Sequence, residues 1–243
     1  MLNVFTLYYD RFETATTSLA LKNAGIEHTI LLHYNKEKFS NLNGEVIETN
    51  NDKGIQNNLN SGLDLIGEGE WAIFLSDDYK KSFKLNEDKT RFVKCDLKYV
   101  YDKLIETIKI ADKVGVKLVG LNCTGNAMFS KNKFGKYGLV DGRMFAIKKT
   151  EFEWRKDITC ITDYYASLYH LKKYGGNLIL NECYAEFERY GEDGIGTSQN
   201  RAEAKKKDIR ILKNLYPNNI KIKDKPNQPK GTHITINRWK QLN

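Results

Sequence analysis

The segment Gly69–Asp78, GEWAIFLSDD, decides the fold. Trp71, Ile73 and Leu75 alternate with Ala72 and Phe74 in an unbroken apolar run. A short apolar run bounded by Gly and acid reads as a strand buried on both faces, the signature of a parallel sheet. The run stops at Ser76-Asp77-Asp78, polar groups that do not stay in a core unpaired. In an open α/β sheet the crevice outside the carboxyl ends of the strands is where ligands bind. Two adjacent carboxylates there repel each other unless a positive charge sits beside them. A hard divalent cation held by one or two carboxylates plus phosphate oxygens is the usual solution. The plainer alternative is a strand-to-turn exit, because Asp favours turns.

Working outward, the chain alternates strands and helices. Val4–Tyr9 reads as a strand, Thr14–Asn23 as a helix stopped by Gly25, and HTILLH at 28–33 as a second strand. This is a strand–helix–strand unit with the right-handed crossover expected. His28 and His33 are read as ordinary polar strand ends. Residues 36–53 read as an Asn-rich loop with a short strand at Val46-Ile47, and Gly54–Leu65 as a helix. The polar stretch 79–92 is expected to be a loop. Asp96 is placed as the cap of a long helix to Val114, with Leu97, Val100, Tyr101, Leu104, Ile105, Ile108 and Ala111 as its buried stripe. Lys117–Leu121 and Leu139–Lys148 read as strands, separated by a long polar loop, Asn122–Lys136, of a length that is usually functional or disordered. A helix starts near Thr162-Asp163 and stops at Gly175-Gly176, and Asn177–Asn181 is a strand. Glu186–Thr197 reads as an acidic, Gly-rich loop. Asn200–Tyr216 is a basic helix, and His233–Asn237 a short final strand. The expected fold is therefore a single α/β domain, a Rossmann-like, mainly parallel sheet with helices on both faces.

Composition bounds the rest. A hydrophobic fraction of 40% and an aromatic fraction of 12% over 243 residues support a globular domain with a sizeable core. The net charge of +8 is uneven: residues 201–243 hold 12 Lys/Arg against 3 Asp/Glu, the remainder 27 against 28. That asymmetry suggests an anionic partner near the C-terminal part, or else a solubilising face. The four cysteines, Cys95, Cys123, Cys160 and Cys183, have no zinc spacing and fit a reducing, cytoplasmic setting. The N-terminal stretch does not read as a signal peptide, and no apolar run is long enough to span a membrane. A GxGxxG fingerprint after the first strand is missing, as is a P-loop, which disfavours a Rossmann dehydrogenase and a P-loop kinase.

The polar groups at strand and helix ends, in the order Arg11, Asn35, Asp77, Asp78, Asp163 and His233, resemble the GT-A glycosyltransferases. The likeness is best over QNNLNSGLDLIGEGEWAIFLSDD, residues 56–78. Asn60-Ser61-Gly62 stands near that superfamily's Asn-x-Gly position, with Asn58 just before it. Ser76-Asp77-Asp78 stands at its DxD motif, with Ser in place of the first acid. Thr162-Asp163 stands at its xED position, with Thr in place of Glu. The resemblance implies that Asp78 and His233 ligate Mn²⁺ or Mg²⁺, and that Asp163 accepts the proton of an acceptor hydroxyl. It places Tyr8, Tyr9, Arg11, Asn35, Asn58 and Asp77 around the donor, a nucleoside-diphosphate sugar for which a UDP-sugar is expected. Lys230 would add a point charge on the phosphates. Residues 1–122 would then form the nucleotide-sugar half and 123–243 the acceptor half.

The fragment FETATTSLALKNAGIEHTILLHYN at 12–35, the chain's size and its basic end are similar to the TET-associated glycosyltransferases, mainly bacteriophage enzymes. That resemblance implies transfer onto a hydroxymethylated pyrimidine in DNA, with the base made accessible by flipping. Lys131, Lys133, Lys136, Arg201, Lys205, Lys206, Lys207 and Arg210 would contact the DNA phosphates, and Met128, Phe134 or Tyr137 would wedge or stack. The alternatives are the same catalyst acting on a glycan, lipid or protein, a nucleotidyltransferase, or an inactive nucleic-acid-binding relative.

Overall fold

A computed structural model of the protein describes residues 2–8, 16–32, 44–49, 54–130, 132–188, 198–223 and 233–236. The amino-terminal half supplies β1 (Asn3–Tyr8), α1 (Thr16–Asn23), β2 (Thr29–Leu32), β3 (Glu45–Glu48), α2 (Ile55–Asp64) and β4 (Trp71–Ser76). Then come β5 (Tyr79–Leu85), β6 (Phe92–Cys95), α3 (Leu97–Lys113), β7 (Leu118–Leu121), the two-residue β8 (Phe134–Gly135) and β9 (Met144–Lys148). The chain closes with α4 (Thr162–Tyr174), β10 (Leu178–Leu180), β11 (Cys183–Phe187), α5 (Ser198–Leu215), β12 (Ile220–Lys223) and β13 (His233–Ile236).

The main sheet has the order β3-β2-β1-β4-β9-β7-β10-β8. Strands β3, β2, β1 and β4 are parallel neighbours, and β7 and β10 are parallel to each other. Strand β9 runs antiparallel to β4 on one side and to β7 on the other. The mainly parallel Rossmann-like sheet expected from the alternation of elements is thus observed. The chain leaves β1 toward β2 and β3 and returns to β1's other side as β4, so a topological switch point lies between β1 and β4.

Strand β4 is central because both of its faces are apolar. Ala72 and Phe74 enter one core with Leu59 and Leu63 of α2, Tyr165 and Leu168 of α4, and Ile209 and Leu212 of α5. Trp71, Ile73 and Leu75 enter the other with Leu21 of α1 and Leu97, Val100 and Leu104 of α3. Phe74 anchors the first core: its ring lies 5.4 Å from both Phe5 and Phe145. Gly62 lets α2 approach, since a Cβ there would lie 2.6 Å from Phe74 Cε1 and 2.9 Å from Leu31 Cδ1. Overpacking a filled core typically costs 1–3 kcal/mol, so Gly62→Ala is expected to lose about 2 kcal/mol, read as a lower urea midpoint at unchanged slope.

Several expectations need correcting. Residues 79–92 are not a loop: β5 and β6 form a hairpin in a second sheet, ordered β11-β5-β6. Its polar sequence misleads because only one face of an antiparallel sheet needs to be apolar. Asp96 precedes α3, but its side chain makes no capping hydrogen bond. The α3 stripe buries Thr107 in place of Tyr101 and Ile105. The strand expected from Leu139 begins only at Met144, after a turn at Gly142-Arg143. Strands β11 and β12, not anticipated, are present. No described helix is long and apolar enough to cross a membrane.

Candidate functional site

Parallel strands end together, so the ends of β1, β4, β7 and β10 share one edge with the amino end of the antiparallel β9. Asp77 and Asp78 lie in the turn from β4 into β5, Asn122 and Cys123 directly follow β7, and Asp141 and Arg143 directly precede β9. Asp163 lies in the first turn of α4. A Cβ on Gly142 would be 3.2 Å from Asp163 Cβ, which places α4's first turn against the Asp141–Arg143 turn.

The turn after β4 is held by its backbone. The Thr17 hydroxyl at the start of α1 donates to the Ser76 carbonyl at 2.7 Å and accepts from Tyr79 N at 3.0 Å. Thr16 donates to the Asp77 carbonyl at 3.1 Å, and Glu188 N donates to the Asp78 carbonyl at 2.9 Å. These contacts fix the backbone on which the paired carboxylates stand.

Arg143 was missed as a site residue, and it organises the edge. Its Nε donates to Asp141 Oδ1 at 2.7 Å and its Nη2 donates to Asp141 Oδ2, a bidentate fork. Its backbone N also donates to Asp141 Oδ1, and its guanidinium lies 5.8 Å from the Phe187 ring centre. The charge of Asp78 adds to that of Asp141 in stabilising the cation. Burial, and next the negative charge of Asp141, push the Asp163 carboxyl up to about 7. Its Oδ1 accepts from Tyr164 N at 2.9 Å. Burial, with Asp141 and Asp163 adding to it, raises the Cys123 thiol.

Loop and helix contacts support this constellation from outside. Asn122 Nδ2 donates to Ser130 Oγ at 2.7 Å, and its Oδ1 accepts from the backbone N and the hydroxyl of Thr124, both at 2.9 Å. Asp208 of α5 accepts, on one oxygen, from the backbone N of Thr159 at 2.9 Å, Cys160 at 2.6 Å and Ile161 at 3.3 Å. The buried Asp208 thereby pins the segment that presents Asp163.

The predicted donor residues fare differently. Tyr8 is 1% exposed, packs with Ile30 and Leu32, and accepts from Ser18 N through its hydroxyl. A ring with no free face cannot stack on a nucleobase, so Tyr8 is a core residue and not the donor contact expected. Asn58 of α2 is also buried; its Oδ1 accepts from the Thr49 hydroxyl at 2.5 Å, which ties α2 to the segment after β3. Asp77 is buried beside Tyr8, whose hydroxyl its charge raises further. Asp78 stays partly exposed. Tyr9, Arg11, Asn35, Lys131 and Lys230 lie outside the described residues. His233 begins β13, its backbone paired with Lys223 of β12 in a separate two-stranded sheet.

The basic residues divide as well. Lys206, Lys207 and Arg210 are exposed on α5, and Lys136 is exposed before β9. Lys133 is 3.6 Å from Glu182. Arg201 and Lys205 are half-buried and act on the Cys160 thiol. No group of three or more His, Cys, Asp or Glu is arranged to hold a metal ion among the described residues. A hard cation that takes one or two carboxylates and completes its shell with phosphate and water needs no such group. The partly exposed Asp78 carboxylate on this edge suits that chemistry.

No family model matches the sequence. No curated protein matches it either. Among solved structures, a CMP:2-keto-3-deoxy-manno-octonic acid synthetase complexed with CTP is similar at 12% identity and a TM-score of 0.44, over 87% of this chain and 99% of that one. A 4-diphosphocytidyl-2C-methyl-D-erythritol synthase from Anaerococcus prevotii is similar at 9% identity and 0.41, over 87% and 98%. A bifunctional IspDF from Campylobacter jejuni is similar at 13% identity and 0.37, over 82% of this chain and 52% of that one. Likenesses at these values carry no inference about activity.

Proposed function

We propose that this protein is a GT-A-like transferase that binds a nucleoside-diphosphate sugar, with a UDP-sugar as the expected donor, and moves the sugar onto an acceptor hydroxyl. The observation that supports it is the gathering of Asp78, Asp141, Arg143 and Asp163 on one edge, beside the switch point. A divalent cation, Mn²⁺ or Mg²⁺, held by Asp78 and reached by His233, would neutralise the diphosphate leaving group. Tyr9, Arg11, Asn35 and Lys230 are proposed to complete the donor site within residues 1–122 and the C-terminal loop. Residues 123–243 are proposed as the acceptor half.

Asp163 does the proton work in this reading. The acceptor oxygen attacks the anomeric carbon, and its O–H bond breaks with the proton passing to the Asp163 carboxylate. The bond from that carbon to the β-phosphate oxygen breaks, and its electron pair leaves with the diphosphate. A base with a pKa near the working pH is well matched to this task.

That proton step makes a pH prediction. The base form exists above the folded pKa of about 7, so transfer is expected to rise with pH through a midpoint near 7. Asp141→Asn removes a negative neighbour and should move the midpoint downward. The same group weighs on stability with the opposite sign. Its folded pKa lies above its unfolded value, so the native state holds the proton more tightly, and its contribution falls as pH climbs between the two. Asp163→Asn should flatten that decline in thermal melts from pH 4 to 8.

The discriminating experiment incubates the protein with nucleotide sugars and Mn²⁺ or Mg²⁺, and separately with CTP or UTP and sugar phosphates. Release of a nucleoside diphosphate supports glycosyl transfer. Release of pyrophosphate instead assigns nucleotidyl transfer to the same edge, and neither product sinks the enzymatic reading.

A further inference from the structure

Arg143 has more N–H groups than its partner uses. A guanidinium presents five of them in a planar fork. The Asp141 carboxylate takes two, from Nε and Nη2. Among the described residues the other three meet no acceptor, and Nη1 is not sealed from solvent. Polar groups this far buried are normally paired. The Arg143 side chain is 24% exposed, so the open edge of the fork is held in place yet reachable from outside.

The orientation of that edge is fixed. Asp141 Oδ1 also accepts from the backbone N of Arg143 at 3.0 Å, which locks the pair within one turn. The Phe187 ring, 5.8 Å from the guanidinium carbon, backs it with its π-face. A plain surface ion pair looks different. Arg155 and Asp157 make the same fork, at 2.9 and 2.7 Å, with the Arg155 side chain 42% exposed. Beyond Asp157, the groups that act on Arg155 are the phenols of Tyr165 and Tyr216. Arg143 is instead acted on by Asp78, and it acts in turn on Asp163. It is therefore within electrostatic reach of both the proposed cation ligand and the proposed base.

The open edge of a guanidinium matches two oxygens of a phosphate, which a point charge such as an ammonium does not. Charge sets the condition. Leaving Asp163 aside, the edge holds one cation, Arg143, against the carboxylates of Asp78 and Asp141. That balance is negative and repels a diphosphate; a bound divalent cation reverses its sign.

We propose that Arg143, aligned by Asp141, binds an oxyanion of the donor's diphosphate, and that it does so only once the divalent cation is in place. The inference rests on the transferase reading above and names a residue that grips its leaving group.

The test is calorimetric titration of the full chain with UDP, inorganic pyrophosphate, uridine and UDP-glucuronate, each with Mg²⁺ and with EDTA. UDP and pyrophosphate are expected to bind in Mg²⁺ and at least about tenfold more weakly in EDTA. Arg143→Met should weaken both anions at least about tenfold in Mg²⁺ and leave uridine unchanged. Arg155→Met, the matched control, should change neither anion. Thermal melts identify a variant that fails to fold. The double variant Asp141→Asn/Arg143→Gln, which keeps a hydrogen-bonded neutral pair, then replaces Arg143→Met. Diphosphate affinity untouched by the Arg143 substitution overturns the proposal, as do equal losses in Arg155→Met, binding as tight in EDTA as in Mg²⁺, or no binding of either anion. A loss confined to UDP-glucuronate overturns it too, because Arg143 would then read a sugar carboxylate. If pyrophosphate binds through Arg143 but no nucleotide sugar is bound or turned over, the transferase reading falls and the oxyanion site stands. If UDP binds and nucleotide sugar is turned over without help from Arg143, the site falls and the transferase reading stands.

Discussion

Asp163→Asn should leave donor affinity within about twofold of wild type and lower transfer by roughly a thousandfold, in the range typical of a lost general base. The substitution keeps the shape of the side chain and its acceptor oxygen for Tyr164 N, which the carboxylate meets at 2.9 Å. What it removes is the ability to take a proton. Initial rates over a range of acceptor concentrations, beside calorimetric titration of the nucleoside diphosphate, separate the two effects. A collapse of donor affinity would instead make Asp163 a binding or structural group. Retained transfer would move the base elsewhere, with Asp141 the nearest candidate, since its charge already acts on Asp163. The pH midpoint near 7 should disappear with the carboxyl, a signature that mere loosening of α4 would not produce.

Asp78→Ala should abolish metal-dependent turnover, with a loss of about a thousandfold or more, because charge developing on a diphosphate leaving group has few other partners. Folding should survive. Asp78 is partly exposed, and its backbone carbonyl, fixed by Glu188 N, is untouched by the substitution. Calorimetric titration of Mn²⁺ with the nucleoside diphosphate present reads the effect directly, because the proposed cation site includes the phosphates. Unchanged Mn²⁺ binding in the variant would detach Asp78 from the metal. Asp77→Ala is the informative contrast. That carboxylate is buried beside Tyr8, so its loss should appear first in thermal stability.

Much of the fold was legible because local signals agreed. The apolar run of β4 and the helices closing at Gly25 and Gly175 were all set by neighbours in sequence. Both glycines adopt positive φ, the conformation that makes Gly a stop. The acids at the end of β4 were legible for the same reason, as was Asp163 at the start of its helix. The hairpin β5–β6 was not legible, since its lysines read as loop, and its apolar residues form a core only when β11, about 100 residues later, pairs with β5. Asp141 and Arg143 were not legible either. Each is ordinary in its own turn, and only the antiparallel insertion of β9 carries them to the edge where Asp78 and Asp163 lie.

The sequence alone determined which segments are strands buried on both faces and where they break off into acid, because hydrophobic period and abrupt polarity are properties of adjacent residues. The tertiary structure alone decided which distant charges share one edge, that Tyr8 and Asn58 are packing and not contact residues, and that α5 reaches back through Asp208 to the segment bearing Asp163. These are set by strand order and burial. Interactions between charges depend on distance and desolvation, and neither quantity exists until the chain has folded.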